Sequence, residues 1–371
     1  MNISIIGSRG YPYVYSGYET FVSELCDKLI AKKHEVTVYC HRGLFANHPK
    51  KINDVRLVYI PAIEKKSLSQ FSHSLLSTIH VVFRRDVDIV LYVNSANGPF
   101  GLLTTIMRKK TAINVDGLEW LRPKWKGLGS KYFYFASWLS TKLFDVVIAD
   151  SSSMAEIYKK EFNSPSVTIA YGEKPTYSSK PELVKELGLV PGEYYLIVGR
   201  LIPDNNGDII VREFERCSSA KKLVILGDVP YKDAYADAIR KTKDMRIIFP
   251  GYIKDQDVLR ELYCNAFAYI HGHEFGGTNP SLLKALASGN CILALDTVFS
   301  REVLDGTNYG MYFTKNNNSL KNVVEYCELH QKEVEVYRAK ARARIEQQYT
   351  WDKIADQYER LFESMVHGKY T

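Results

Sequence analysis

Three segments of the sequence place glycines and polar residues directly after an apolar run, where a loop can bind an anion. The first is Gly7-Ser8-Arg9-Gly10, which follows the run 2–7 and leads towards a predicted helix. Glycines before a helix allow backbone amides to approach a phosphate or a sugar closely. The spacing is not G-x-G-x-x-G, and no acidic residue follows the next run, which ends at Cys40, to hold a ribose. A dinucleotide site is therefore disfavoured, and a purely conformational role for these glycines stays open.

The second segment, 199–206, has the sequence Gly-Arg-Leu-Ile-Pro-Asp-Asn-Asn and follows the run 194–199. Its Arg200 offers a planar fork of donors to a diphosphate and remains cationic at any relevant pH. The alternative is an ordinary surface arginine.

The third segment, 271–285, is the most informative of the three. It joins two histidines, the glycine pair Gly276-Gly277 and a predicted helix that begins near Asn279 with Pro280 in its first turn. The free amides and the positive dipole end of that helix suit a pyrophosphate. An ordinary capped helix is the alternative, because Asn followed by Pro and Ser is good capping chemistry.

Two carboxylates follow another predicted strand, at Asp116 and Glu119 in the segment 114–120. A carboxylate there can accept a proton from an acceptor hydroxyl or anchor a sugar, and an Asp-Gly turn is the alternative. The pair Asp86 and Asp88 resembles the D-x-D metal motif of other sugar transferases, but it precedes its strand. We interpret that pair as a turn, and a metal dependence is not supported.

The elements that position these residues alternate between strand and helix throughout the chain. Strands are predicted at 2–7, 35–40, 55–60, 88–93, 111–115 and 145–150, and again at 194–199, 222–227, 245–251, 266–272 and 291–296. Helical spacing occurs at 19–32, 68–84 and 127–142, and from about 318 to the end. This order predicts parallel, doubly wound sheets in two similar α/β domains, and ligands are expected at the carboxyl ends of their strands.

The turn-rich segment 171–180 is the predicted linker between the domains. We expect an N-terminal domain over 1–172, a C-terminal domain over 173–350 and a final helix over 351–371 that packs back on the first domain.

The length of 371 residues and the average composition, with 46% hydrophobic and 25% charged residues, exclude a small disulfide scaffold and a disordered chain. The six scattered cysteines are expected to be buried thiols. No signal sequence or spanning run is recognisable, so we expect a cytoplasmic protein.

Positive charge is concentrated in the first half of the chain. Residues 1–180 contain 24 Lys and Arg against 15 Asp and Glu, whereas residues 181–371 contain 25 against 27. The cations cluster with aromatic residues between 108 and 138, at Arg108, Lys109, Lys110, Arg122, Lys124, Lys126 and Lys131, alongside Trp120, Trp125, Tyr132, Phe133, Tyr134, Phe135 and Trp138. This mixture suits an anionic membrane surface. A nucleic-acid partner is disfavoured because no recognition motif accompanies the cluster, and an ordinary solvated basic face over a core lined by Tyr and Trp remains the alternative.

Four of these segments, taken in order, resemble the retaining GT-B glycosyltransferases of family 4. The segments are 7–21, 114–120, 199–206 and 271–290, and the narrower resemblance is to bacterial β-1,4-rhamnosyltransferase-like proteins of polysaccharide assembly. The resemblance implies two Rossmann-like domains that face a central cleft. It also implies transfer of a sugar, from TDP-L-rhamnose in the first instance, to a lipid-linked saccharide at the inner membrane face, without a metal or other cofactor.

The resemblance also assigns roles to residues. Asp116 and Arg200 are the implied catalytic residues, with Asp116 beside the reacting sugar and Arg200 on the diphosphate. The implied donor-binding residues are Gly17, Arg200, Asn205, Tyr252, Gly276, Gly277, Thr278, Asn279 and Lys284. The expected acceptor-binding residues are Glu19, Glu119 and Trp120.

The sequence departs from the family at three of these positions. Asn205 replaces the usual lysine, and Gly276 and Lys284 replace two glutamates eight residues apart. A lysine can donate to a ribose hydroxyl or a phosphate but cannot accept from either. A UDP-hexose-dependent transferase, a nucleotide-sugar epimerase and a catalytically silent binding protein therefore stay open as alternatives.

Overall fold

The computed structural model describes residues 1–12, 17–63, 65, 68–123, 125, 127–227, 229 and 233–368. The chain divides into two compact units. The first contains residues 1–121, 125–171 and 351–371, and the second contains residues 122–124 and 172–350. The divisions at 171/172 and 350/351 lie next to the boundaries expected from the sequence.

Each unit is built on one sheet. The first sheet has the order β3-β4-β2-β1-β5-β6-β7-β8 and is parallel except for the antiparallel β3–β4 pair. Its strands are β1 (Asn2–Ile6), β2 (Glu35–His41), β3 (Lys51–Ile52), β4 (Val55–Ile60), β5 (Ile89–Val93), β6 (Thr111–Val115), β7 (Val146–Ala149) and β8 (Val167–Thr168). The second sheet is parallel, with the order β11-β10-β9-β12-β13-β14. Its strands are β9 (Tyr194–Val198), β10 (Lys222–Leu226), β11 (Ile247–Gly251), β12 (Ala268–His271), β13 (Cys291–Leu295) and β14 (Gly310–Phe313).

Fourteen α-helices connect and cover these strands in the described part of the chain. They are α1 (Gly17–Ala31), α2 (Ser69–Val82), α3 (Gly101–Ile106), α4 (Leu128–Leu143), α5 (Ser152–Phe162), α6 (Glu182–Lys185), α7 (Gly207–Glu215), α8 (Ala234–Ile239), α9 (Gln256–Cys264), α10 (Pro280–Ala287), α11 (Val298–Val303), α12 (Ser319–Leu329), α13 (Gln331–Gln348) and α14 (Trp351–Val366).

The eleven predicted strands are all present, each within two residues of its expected bounds. The sequence did not predict β3, β8 or β14. The strands β3 and β8 have only two residues each, and β14 begins at Gly310. None of the three therefore shows the apolar pattern by which a strand is predicted. Both internal strands β5 and β6 are buried at every residue, as expected for a parallel sheet covered on both faces.

The final helix α14 packs on α1 within the first unit. The ring of Phe21 on α1 lies 5.6 Å from Tyr358 and 6.4 Å from Trp351, both on α14. Ion pairs border this contact: Lys28 lies 2.5 Å from Asp352, and Lys32 lies 2.7 Å from both Asp356 and Glu359. The aromatic residues of the last helix thus find their partner surface in the first unit.

The six cysteines are buried and unpaired, as predicted. Within the described ranges, no helix is long and apolar enough to cross a membrane.

Candidate functional site

Asp116 lies in the first unit, directly after β6, and two tyrosines donate hydrogen bonds to its carboxylate. The Tyr18 hydroxyl donates to Oδ1, and the Tyr171 hydroxyl lies 3.1 Å from Oδ2. Burial, together with the charge of Asp116, raises the pKa of Tyr171 well above its ordinary value, so this hydroxyl keeps its proton. Donors on both oxygens suit an ionised carboxylate. The arrangement fixes the position of Asp116 and leaves it as a hydrogen-bond acceptor.

Asparagines hold the two tyrosines in turn. The Asn94 amide nitrogen donates to the Tyr18 hydroxyl at 3.0 Å, and the Asn94 side-chain oxygen accepts from the Ala96 N–H at 2.8 Å. On the other side, the single proton of the Tyr171 hydroxyl is shared between Asp116 Oδ2 and Asn114 Oδ1, which lies 3.2 Å away. The Asn114 amide nitrogen donates to Tyr358 of α14 at 3.1 Å.

Asp116 was predicted from the sequence as a site residue. Its hydrogen-bond partners Tyr18 and Tyr171, and the Asn94 that contacts Tyr18, were not predicted. Asn94 directly follows the predicted strand 88–93. Because ligands of a parallel sheet lie at the carboxyl ends of its strands, this position was a signal for Asn94. Tyr171 follows the two-residue strand β8, which has no recognisable pattern.

The first glycine loop is anchored by the residues around it. A Cβ atom on Gly7, which has a φ of +108°, would lie 2.4 Å from the carbonyl oxygen of Val93. The carboxylate of Glu19 is buried and accepts from the Arg9 N–H at 3.1 Å. The Gln70 amide nitrogen donates to the Gly7 carbonyl at 2.9 Å. Glu19 therefore holds this loop, and its expected contact with an acceptor stays a prediction.

Gly17 is the first residue of α1, and residues 13–16 of the preceding loop lie outside the described residues. The expected closure of Gly17 over a donor stays a prediction.

Glu119 and Trp120 belong to a short 3-10 helix, Glu119–Leu121. Glu119 is buried and accepts from the Trp125 indole N–H at 2.7 Å. The ring of Trp120 is also buried and packs edge-on against Tyr158 and Phe162, with centroids 5.9 and 5.6 Å apart. Trp120 therefore belongs to an aromatic core cluster, as in the alternative of a solvated basic face over a core lined by Tyr and Trp, and is not part of an exposed surface. Acceptor binding by these two residues remains untested.

In the second unit, Arg200 and the segment 272–279 follow the neighbouring strands β9 and β12, so both lie at the carboxyl edge of the sheet. The Arg200 side chain is exposed. Its backbone carbonyl accepts from the Asn205 amide nitrogen at 2.7 Å. The Asn205 amide oxygen lies 2.8 Å from Nδ1 of His273. Asn205 stands at the position of the family's lysine. It therefore connects the Arg200 loop to the loop after β12 through hydrogen bonds.

His273 has a defined tautomer because of this contact. The Asn205 oxygen can only accept, so Nδ1 of His273 donates and Nε2 is the acceptor of the neutral ring. The pKa of His273 lies well below its ordinary value, first through burial and then through the positive charge of Arg122. The neighbouring His271 is also buried, and burial lowers its pKa to about 3.

Further backbone contacts bring the same two loops together. The Asn206 amide nitrogen donates to the Gly272 carbonyl at 2.9 Å, and the Glu274 N–H donates to the Asp204 carbonyl at 3.1 Å. A Cβ atom on Gly272 would lie 2.3 Å from the carbonyl oxygen of Asn205, so only glycine fits there.

The loop 276–279 ends at the amino terminus of α10, as predicted. Asn279 is the N-cap, and its side-chain oxygen accepts from the Ser281 N–H at 2.9 Å, with Pro280 in the first turn. Gly276 and Gly277 are buried. Among the described residues, the N–H of neither glycine donates a hydrogen bond. Buried amides without a partner are rare, and here they lie beside the positive end of a helix. Thr278 is buried next to them.

Lys284 lies on the second turn of α10, and its ammonium group is 5.8 Å from the centre of the Tyr263 ring. No carboxylate of the described residues lies within ion-pairing distance of it. Tyr252 follows β11 at the same edge of the sheet and is exposed. Both residues keep their donor-binding roles as predictions.

Asp86 and Asp88 lie in the turn before β5, at the amino edge of the first sheet, as interpreted from the sequence. Asp86 pairs with Arg84 at 2.5 Å, and hydrogen bonding to Arg84 lowers the pKa of Asp86 to about 2. Asp88 accepts from the Asn2 N–H at 2.7 Å. In the described part of the chain, no three His, Cys, Asp or Glu side chains group as a metal site requires.

Two family models match the chain. Residues 1–174 match a domain of unknown function, DUF1972, and residues 192–327 match the family described as Glycosyl transferases group 1. No curated protein matches the chain in sequence.

Several solved structures share the fold over the full chain. Sucrose-phosphate synthase from Thermosynechococcus elongatus aligns with a TM-score of 0.80 and 16% identity over 99% of both chains. HepE from Anabaena, solved in complex with UDP, aligns with a TM-score of 0.77 and 14% identity over 98% of this chain and 99% of its own. A glycosyltransferase from Rickettsia africae aligns with a TM-score of 0.72 and 13% identity over 98% of each chain.

These structures confirm the expected GT-B fold class, with two parallel-sheet α/β domains. More narrowly, residues 192–327 carry the glycosyl transferases group 1 domain. The resemblance to rhamnosyltransferases is not part of these matches.

Proposed function

We propose that this protein transfers a sugar from a nucleotide diphosphate sugar to a lipid-linked saccharide at the inner face of the plasma membrane. The observation that carries the donor assignment is the pair of buried, unpartnered amides of Gly276 and Gly277 before α10. A diphosphate supplies acceptors for such amides. Similar structures support this donor class, because HepE has been solved with UDP and with UDP-glucose. We propose L-rhamnose from TDP-rhamnose as the donor on the sequence resemblance, with a UDP-hexose as the second candidate.

The chemistry requires the bond between the sugar and the diphosphate to break, with negative charge accumulating on the leaving group. The Arg200 guanidinium, the two glycine amides and the dipole of α10 would stabilise that charge without a metal ion. The two loops that carry them are held together by Asn205, Asn206 and Gly272. The backbone that carries these groups is therefore held in place before the donor sugar arrives, which favours effective electrostatic stabilisation.

Asp116 would accept a hydrogen bond from a sugar hydroxyl and thereby orient the sugar. Tyr18 and Tyr171 already donate to its two oxygens, so it acts in this proposal as an ionised anchor. If the reaction retains the anomeric configuration, as the resemblance implies, a phosphate oxygen of the donor can take the acceptor proton, and no carboxylate nucleophile is required.

A panel of nucleotide sugars tests the donor assignment. We expect UDP or TDP to bind in calorimetry, and the matching nucleotide sugar to be consumed in the presence of EDTA. An NMR assay without acceptor distinguishes an epimerase, which would convert the donor into its epimer. A protein that binds no nucleotide and consumes no donor would contradict the proposal.

Arg200→Ala tests the diphosphate contact. Loss of a hydrogen bond to a charged group is worth about 1.5–3 kcal/mol, so we expect nucleotide affinity to fall about 10- to 100-fold. Arg240→Ala is the control, because Arg240 pairs with Asp237 at 3.5 Å on α8 and has no role in the proposed site. Equal affinities for the two variants would remove Arg200 from the site.

Lys284→Glu separates a site adapted to its own donor from an impaired one. If Lys284 contacts the donor, the substitution should weaken nucleotide binding. Increased turnover in this variant would instead favour the catalytically silent or impaired alternative.

A further inference from the structure

The outer surface of the helices α2, α3 and α4 is unusually apolar for an exposed surface. Within the described residues, 24 large apolar side chains are exposed, and 11 of them lie on α2, α3 or α4 or directly after one of these helices. The three helices lie side by side in the first unit. Large contiguous apolar patches on a protein surface mark interaction sites.

Each helix contributes strongly exposed side chains. Phe83 directly after α2 is 72% exposed, Ile106 at the end of α3 is 65% exposed and Leu128 at the start of α4 is 85% exposed. Further exposed apolar residues on or next to the same helices are Leu76, Ile79, Leu102, Met107, Phe135 and Trp138. The basic and aromatic cluster predicted between 108 and 138 includes α4, whereas the exposed apolar residues of α2 and α3 are evident only from the burial of individual side chains.

The charged residues within these three helices all have one sign, and the nearest exposed carboxylates, Asp86 and Asp145, lie beyond the ends of α2 and α4. The sequences of α2, α3 and α4 contain no Asp or Glu, and α4 contains Lys131 and Lys142. Arg85 and Arg108 follow α2 and α3 within three residues. These four cations are exposed, and no carboxylate in the described part of the chain lies within ion-pairing distance of them.

Apolar and basic residues alternate along the exposed face of α4. Its exposed residues recur at spacings of three and four, which places them on one side of the helix: Leu128, Lys131, Tyr134, Phe135, Trp138 and Lys142. Such an arrangement allows the apolar side chains to enter the boundary of a bilayer while the lysines reach phosphate groups.

We infer that the surface formed by α2, α3 and α4 docks on an anionic lipid bilayer, with Phe83, Ile106 and Leu128 entering the interface. The charge supports this choice of partner. A second copy of the chain, paired through the same face in a two-fold dimer, would bring cations against cations, because the three helices carry no carboxylate to meet them. An anionic bilayer offers both an apolar layer and negative charge.

This inference deepens the proposed function, since a lipid-linked acceptor resides in a membrane, but it can be tested without any turnover. The full-length protein is sedimented with vesicles of phosphatidylcholine alone, or of phosphatidylcholine with 30% phosphatidylglycerol. We expect binding to the anionic vesicles, weakening as salt rises from about 0.05 to 0.5 M. No binding, or equal binding to both vesicles, would overturn the inference.

Two pairs of substitutions separate the apolar and the charged contributions. We expect Phe83→Ser with Ile106→Ser to reduce binding at least tenfold at every salt concentration. We expect Lys131→Gln with Lys142→Gln to reduce binding at least tenfold at low salt and much less at high salt. The matched controls lie in the second unit, where Met245 and Leu329 are 90% and 81% exposed and Lys243 and Lys332 are also exposed. Met245→Ser with Leu329→Ser, and Lys243→Gln with Lys332→Gln, should bind as the unmodified protein does.

Two further measurements distinguish docking on a bilayer from self-association and from failure of the donor site. Sedimentation velocity without vesicles detects self-association, and a dimer abolished by Phe83→Ser with Ile106→Ser would assign the surface to a second copy and overturn the inference. Calorimetry with UDP and TDP on the same variants reports the donor site. Normal vesicle binding without nucleotide binding would refute the proposed function and leave the docking surface standing.

Discussion

Asp116 illustrates how single hydrogen bonds define the chemistry available to a residue. Its carboxylate is held by the hydroxyls of Tyr18 and Tyr171, and Tyr18 is held by Asn94. A carboxylate fixed in this way can orient a sugar hydroxyl, because it need not reorganise when the hydroxyl arrives.

Replacing Tyr18 with phenylalanine tests this arrangement. The change removes one donor to a charged group, so we expect kcat/KM for glycosyl transfer to fall about 10- to 100-fold, with nucleotide affinity unchanged. Tyr326→Phe is the matched control, because Tyr326 donates to Glu333 at 2.7 Å on the surface of the second unit. Transfer rates that are equal in both variants would show that Tyr18 does not position Asp116.

At the scale of elements, the close approach of the loops after β9 and β12 depends on a residue without a side chain. Gly272 lies against the Asn205 carbonyl, and Asn205 and Asn206 bond across the same contact. Any added atom must move the backbone that carries Arg200.

We expect Gly272→Ala to destabilise the second unit by about 1–3 kcal/mol and to weaken nucleotide binding, since the Arg200 loop is displaced. Gly207→Ala provides the comparison, because its Cβ would meet the flexible end of Ile239 at 3.2 Å. Thermal unfolding and calorimetry measure both effects. A Gly272→Ala protein with unaltered Tm and affinity would contradict the tight contact.

At the scale of the whole molecule, buried histidines couple stability to pH. His73 is fully buried, stacks on His41 with centroids 3.7 Å apart, and neither of its ring nitrogens has a hydrogen-bond partner among the described residues. Burial lowers the pKa of His73 to about 3. His271 in the second unit has a pKa of about 3 for the same reason.

The sign of the pH effect follows from these pKa values. An unfolded histidine has a pKa of about 6.5, so below that pH the unfolded chain binds a proton that the folded chain does not. The contribution of these neutral histidines to the free energy of unfolding is therefore fully present above pH 6.5. It is lost progressively as the pH falls towards 3. Each such histidine contributes a loss of about 2 kcal/mol by pH 5.

Urea unfolding at pH 7.5 and pH 5 measures this loss. We expect His73→Phe to reduce the loss in the first unit by about 2 kcal/mol, because the variant has no proton to bind there. His330→Gln is the control, since His330 is exposed. An identical pH dependence in His73→Phe and the unmodified protein would contradict the prediction.

The sequence by itself determined the two α/β halves, eleven of the strands and the start of α10 at Pro280, because apolar period, turn residues and capping are local properties of the chain. The tertiary structure alone decided which side chains meet Asp116, since residues 18, 94 and 171 reach it only through the order of the parallel strands. It also decided that Asn205 ties two loops together, that Trp120 is buried and that α2 and α3 leave apolar side chains exposed. Contacts between distant segments and the burial of individual side chains depend on packing across the whole domain, which no short stretch of sequence specifies.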